Sequence, residues 1–244
     1  MTLREYLTAS REPRYSVTLV VPLLLLYEGL AVLLSHTAYA GVRNGADVLL
    51  KTIFLALGGR AGVILFGILL LGVGSWLVMR DVHAKGRIRT RVFSFMFAES
   101  LVYAALLGVV VSYLTAFLLS PELLAYQGDV IRLGIGAQLV VSLGAGLYEE
   151  LLFRVLLVSG LTGLCAAMGM KRSVSVGIAI AASALIFSGF HYVGPLGDVL
   201  TVPSFTFRAV AGLLLSGLYV ARGFGITAWA HALYDVGLSI VQLA

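Results

Sequence analysis

Three apolar stretches of this chain carry charged and titratable side chains that membrane-spanning sequence normally lacks. Glu149, Glu150 and Arg154 lie in GAGLYEELLFRVLL, His191 in ALIFSGFHY, and His231 with Asp235 in ITAWAHALYDVGL. Placing one ionisable group at bilayer depth costs about 2.5–3.5 kcal/mol or more. Six such groups near three apolar segments argue for use rather than tolerance. On a regular α-helix Glu150 and Arg154 share a face. Glu149 is rotated by about 100° and is free to point into a cavity. Burial and a like charge beside it tune such a carboxylate for general-base work. Phe187 precedes His191 by one helical turn, so its ring can shield the imidazole from lipid. Asp235 stands in the same relation to His231 and can accept from one ring nitrogen, leaving the other to act.

Each of these has a plain structural alternative: a Glu–Arg pair stitching two helices, a histidine at a helix end, and a His–Asp pair satisfying itself. Taken together, however, the inventory suits hydrolysis. Glu149 and His191 can activate water, while His231 and Asp235 stabilise a developing oxyanion. It also suits a metal centre, with His191, His231 and Glu149 holding Zn²⁺, so the cofactor is either none or zinc. There is no H-E-x-x-H motif, no G-x-S-x-G elbow and no glycine-rich phosphate loop.

The elements that must position these residues are transmembrane helices. Of 244 residues, 60% are hydrophobic and 12% charged, against about 25% charged in a soluble domain. The mean hydropathy is +1.01. The expected fold is an all-α, polytopic membrane bundle of seven or eight spans. Apolar runs of spanning length fall at Ser16–Ser35, Ala61–Met79, Val92–Leu119, Ile135–Leu157, Val174–Tyr192, Phe205–Val220 and Ile226–Leu243. Ala46–Leu57 is apolar but short and flanked by Arg43, Asp47, Lys51 and Arg60, so it is either an interfacial or half-inserted helix, or an eighth span. The first run follows a basic lead, Arg4, Arg11 and Arg14, lacks a small-residue cleavage site and reads as a retained anchor.

Basic residues crowd the connection MRDVHAKGRIRTR, the lead and Lys171–Arg172, whereas Ser120–Asp129 and the Asp198 loop are acidic. By the positive-inside rule a seven-span chain has its N-terminus in the cytoplasm and its C-terminus outside, whereas a spanning Ala46–Leu57 puts the N-terminus outside. The net charge of +5 sits in short loops and speaks for membrane orientation rather than nucleic-acid binding. The single cysteine, Cys165, allows no disulfide within the chain. Two further acids, Glu28 and Glu99, are expected to make structural bonds, and Arg208 to reach the interface. The expected setting is a prokaryotic cytoplasmic membrane, with lipid and a membrane-associated protein or peptide as partners.

The order Glu-Glu-x-x-x-Arg (Glu149, Glu150, Arg154), Phe-x-x-x-His (Phe187, His191) and His-x-x-x-Asp (His231, Asp235) resembles the CPBP family, also called Abi or type II CAAX-endopeptidase-like intramembrane proteases. The resemblance covers residues from about Gly134 onward. It divides the chain into N-terminal helices, 1–120, as a substrate gate and a catalytic core, 121–244. It implies an intramembrane endopeptidase in which Glu149 and His191 activate water, His231 and Asp235 form the oxyanion pair, and Glu150, Arg154 and Phe187 support them. Both metal-dependent and glutamate-type chemistry occur in that family. Its substrates include prenylated proteins, bacteriocin-like peptides and proteins with C-terminal sorting signals. Asp235 stands where eukaryotic members carry Asn, which puts orientation of His231 ahead of donation to the oxyanion. Two readings from other classes stay open: a non-catalytic binding or immunity protein, and a proton-coupled transporter. Against transport, no inverted repeat is visible.

Overall fold

A computed structural model of the protein describes residues 1–120, 134–194 and 197–241. The outward loop expected at Ser120–Asp129 lies, from residue 121 on, outside the described residues, and the last span is described to Val241. The described residues form helices and no strands. A short helix α1 (Leu3–Ala9) is followed by α2 (Pro13–Leu33), α3 (Gly45–Lys85), α4 (Thr90–Leu118), α5 (Ile135–Ala167), α6 (Arg172–Phe190), α7 (Val202–Arg222) and α8 (Phe224–Val241). Helices α2 to α8 supply seven segments long and apolar enough to cross a membrane. The protein is an all-α, multi-pass membrane bundle.

The ambiguous segment Ala46–Leu57 is the first limb of α3. The helix breaks at Gly58 and Gly59, where Gly59 takes φ 58°, ψ −145°, a conformation open to glycine and costly for other residues. The chain reverses there. A Cβ on Gly62 would fall 1.9 Å from the Phe54 carbonyl oxygen, and the Phe54 and Phe66 rings meet at 5.2 Å. The limb Gly45–Leu57 is only about 20 Å long at 1.5 Å per residue, short of the roughly 30 Å hydrocarbon core. It is a half-inserted helix folded back on its partner, and it brings its N-terminus, capped by Asn44, into the bundle interior.

With lipid as solvent, large apolar side chains cover the outside, among them Leu25, Ile64, Val109 and Phe117. The interior holds small and polar residues that join helices through hydrogen bonds. Trp229 Nε1 donates to the Leu19 carbonyl at 2.7 Å, tying α8 to α2. Ser183 Oγ donates to the Phe153 carbonyl at 2.8 Å, tying α6 to α5. Helix α8 is the centre of the bundle, with an unbroken buried run from Gly225 to Ala232. It meets α5 at a close crossing where a Cβ on Gly146 would lie 2.4 Å from the Ala228 carbonyl oxygen. That glycine lets the backbones approach closely enough for side chains one turn further on to share a proton.

The intramembrane acids outside the motifs are ion-paired. Glu28 bonds Arg43 at 2.7 Å, and Glu99 bonds Arg222 at 2.6 and 2.8 Å and Tyr6. Arg208 bonds Asp198, Tyr192 and Ser204.

Candidate active site

The middle of α5, Ala145–Val158, winds as a π-helix. Its i→i+5 bonding widens the turn and advances each residue by less than the α-helical 100°. Such insertions recur at functional sites. Here the segment contains Glu149, Glu150 and Arg154, all buried. The two glutamates point to different partners.

Glu150 and Arg154 are both fully buried, with Oε1 of the glutamate 3.1 Å from Nη1 of the arginine. The guanidinium also lies over the Phe187 ring, 4.4 Å from its centroid. The same Glu150 Oε1 accepts from His231 Nδ1 at 2.7 Å. Glu150 is thus the hub of a buried chain, Arg154–Glu150–His231. With Nδ1 of His231 held by Glu150, Nε2 lies 3.4 Å from Asp235 Oδ2. The sequence pairs Glu150 with Arg154 alone and gives Asp235 the task of fixing the ring. In the structure Glu150 fixes it from one side and Asp235 faces the other.

Glu149 is 5% exposed and its two oxygens have different surroundings. Oε1 accepts from Asn44 Nδ2 at 2.8 Å. Oε2 is buried without a hydrogen-bond partner and lies 3.9 Å from His191 Nε2. His191 closes the C-terminal end of α6, and its Nδ1 is 2.8 Å from the Phe187 carbonyl oxygen. A carbonyl can only accept, so Nδ1 carries the proton and a neutral ring turns its Nε2 lone pair toward Glu149. Two acceptors then face each other across a gap too long for a direct bond. A donor with two protons, as water has, is the group that would bridge them. Phe187 is the shared wall: its ring contacts His191 at 4.8 Å and His231 at 6.1 Å, both edge to face.

Asn44 is the site residue that sequence reasoning misses. Its Oδ1 caps the half-inserted helix by accepting from Ala46 N–H at 2.9 Å, and its Nδ2 reaches Glu149. It is 2% exposed and packed against Tyr27 and Gly144. The available signal is an Asn immediately before an apolar run, a helix N-cap. That signal says nothing of a glutamate 105 residues away.

The three donors suggested for a metal, Glu149, His191 and His231, do not gather into a three-ligand cluster among the described residues. His231 Nδ1 is already engaged by Glu150. This arrangement does not fit a zinc site, and no step below passes through one.

Residues 132–237 match the type II CAAX prenyl endopeptidase Rce1-like family. All six charged site residues fall inside this Rce1-like region, and Asn44 falls outside it. No curated protein and no solved structure matches the chain. The Rce1-like match agrees with the CPBP resemblance of the motifs and supports a CAAX-protease-like endopeptidase in general terms. It leaves the substrate and the roles of individual residues to be argued from the geometry.

Proposed function

We propose that the protein is an intramembrane endopeptidase of glutamate type, hydrolysing a peptide bond of a membrane-associated protein or peptide. The observation that carries this reading is the unpartnered Oε2 of buried Glu149 facing His191 Nε2 across 3.9 Å. A water held there gives a proton to Glu149 as its oxygen attacks the scissile carbonyl carbon. His191 Nε2 orients the second O–H. The new oxyanion is met by His231 when Nε2 carries a proton, with Asp235 steering the ring and Glu150 anchoring Nδ1. The tetrahedral intermediate collapses with cleavage of the C–N bond, and the proton on Glu149 passes to the leaving nitrogen. Substrates consistent with this reading are prenylated, bacteriocin-like and C-terminal sorting-signal polypeptides. The fully buried Glu150–Arg154 pair keeps an acid and a base out of the reaction and fixes the shape of the π-helical segment.

The test compares the wild type with Glu149→Gln in the native host, with membrane and secreted polypeptides examined for altered termini. Accumulation of an uncleaved precursor in the variant, at equal protein level, is the expected result. Identical termini in both strains would remove the protease reading. Purified protein should then cleave that precursor with a rate lowered roughly 10²–10⁴-fold by Glu149→Gln, the usual worth of a general base.

A further inference from the structure

On the opposite side of the bundle from the His191 end of α6, the positive-inside rule marks a cytoplasmic face. There α1, the start of α2 and the α3–α4 connection enclose an open cavity of about 780 Å³. Five basic side chains line it, Arg4, Arg14, Lys85, Arg87 and Arg89, against two acids, Glu5 and Glu12. Both acids are already engaged. Glu5 closes the capping box of α1 with Thr2, and Glu12 binds Arg14 at 2.8 Å and Lys85 at 3.2 Å. Arg14 and Lys85 are further held by Asp81. Arg4, Arg87 and Arg89 are exposed and make no ion pair among the described residues. The cavity is therefore walled by internally neutralised pairs and rimmed by three unspent guanidinium groups.

Its position in depth identifies the anion. The cavity lies where α3 ends and α4 begins, which span length and the positive-inside rule put at the cytoplasmic headgroups. Its outer wall, α1, turns Leu3 (72% exposed) and Leu7 (40%) outward. These lie one turn apart on the short helix and suit an acyl-chain boundary rather than water. Tyr6 and Arg222 pin α1 in place through Glu99. We propose that this cavity binds the headgroup of an anionic phospholipid of the cytoplasmic leaflet. Arg4, Arg87 and Arg89 hold its phosphate, and Leu3 and Leu7 lie against its chains. Basic pockets between spans on this side are suited to such headgroups, and guanidinium forks match phosphate oxygens.

The full-length protein, purified in detergent, would be titrated with phosphatidylglycerol, with phosphatidylcholine and with inorganic phosphate, following retained lipid by native mass spectrometry. Each guanidinium in direct reach of the bound headgroup is worth roughly fivefold in anionic-lipid affinity. The Arg4→Gln, Arg87→Gln, Arg89→Gln triple variant is expected to weaken phosphatidylglycerol binding about a hundredfold. Arg80→Gln, Lys171→Gln, Arg172→Gln removes as much charge elsewhere and is expected to leave it within about twofold. Equal losses in both variants would mean general surface attraction and overturn the site. Equal binding of phosphatidylcholine would also overturn it, and so would competition by millimolar phosphate as effective as that by lipid. Should the triple variant not fold, Arg87→Glu alone carries the test, with at least a fivefold loss expected and an unchanged affinity refuting the proposal.

Discussion

Replacing Asn44 by Ser separates positioning of Glu149 from stability. Asn44 makes two side-chain bonds of different kinds: Oδ1 accepts from Ala46 N–H at 2.9 Å, and Nδ2 donates to Glu149 Oε1 at 2.8 Å. Serine is as good an N-cap as asparagine, so Asn44→Ser keeps the first bond and loses the second. A buried hydrogen bond to a charged group is worth about 1.5–3 kcal/mol. If it serves to hold Oε2 toward His191, losing it lowers kcat by roughly ten- to a hundredfold. KM should hardly move, because Asn44 holds the base rather than the substrate. Asn44→Ala removes the cap as well and should add about 1 kcal/mol of destabilisation without a further loss of kcat. The assay is cleavage of the precursor found by terminus comparison, normalised to folded protein. Wild-type kcat in Asn44→Ser, or a loss explained wholly by a lower folded fraction, would refute the argument that the half-inserted helix positions the proposed general base, Glu149.

Arg154→Leu leaves Glu150 buried against His231 alone and should destabilise the fold by about 3–5 kcal/mol, seen as a lower unfolding midpoint in denaturant; an unchanged midpoint would contradict the burial of this pair. Glu99→Gln weakens the anchorage of Arg222, which also holds the Leu7 carbonyl and Ser10. It should speed tryptic cleavage after Arg11 severalfold and leave precursor cleavage unchanged, and equal digestion rates would show that α1 is held otherwise. In a Cys165→Ala background, Tyr39→Cys should react with a membrane-impermeant maleimide from outside intact cells and Arg87→Cys only after lysis. The reverse pattern would invert the orientation. Gly146→Leu should separate α5 from α8 and abolish both cleavage and the native unfolding transition, since its Cβ would sit 2.4 Å from the Ala228 carbonyl oxygen.

What the sequence revealed of this protein follows from how locally each feature is encoded. Seven apolar runs are readable because span length is a property of consecutive residues, and the described residues hold seven helices long and apolar enough to cross a membrane at those places. The ambiguity at Ala46–Leu57 came from the same rule: a run too short to span but too apolar for a loop. Gly58–Gly59 was its solution, visible only as a pair of glycines until φ and ψ showed the reversal. The pairing of Glu150 with Arg154 was legible from a four-residue spacing, which a π-turn loosens without abolishing. The π-helix itself was not legible, since no short-range pattern distinguishes it from the α-helix. Nor was the contact of Glu150 with His231, which depends on the close crossing at Gly146 between segments 81 residues apart.

The same geometry explains why the charged residues are tolerable in a membrane. Arg154, Glu150 and His231 form one chain of contacts, so removing any one leaves the others exposed to the full penalty of burial. Glu149 and Glu150 each keep an Oε2 without a hydrogen-bond partner, but Glu149 takes its one donor from the half-inserted helix and turns its Oε2 toward His191 Nε2, 3.9 Å away. A chain built only for packing would gain by satisfying both oxygens or by replacing the residue with leucine. What separates Glu149 from Glu150, whose Oε2 is equally unpartnered, is the free His191 nitrogen aimed at it, and that juxtaposition favours a reactive centre over a structural one. It also assigns the helices before residue 120 a part in the site that the motifs alone did not suggest. They deliver Asn44, so truncating the chain to the Rce1-like region, 132–237, should give no active enzyme even where the remaining helices insert.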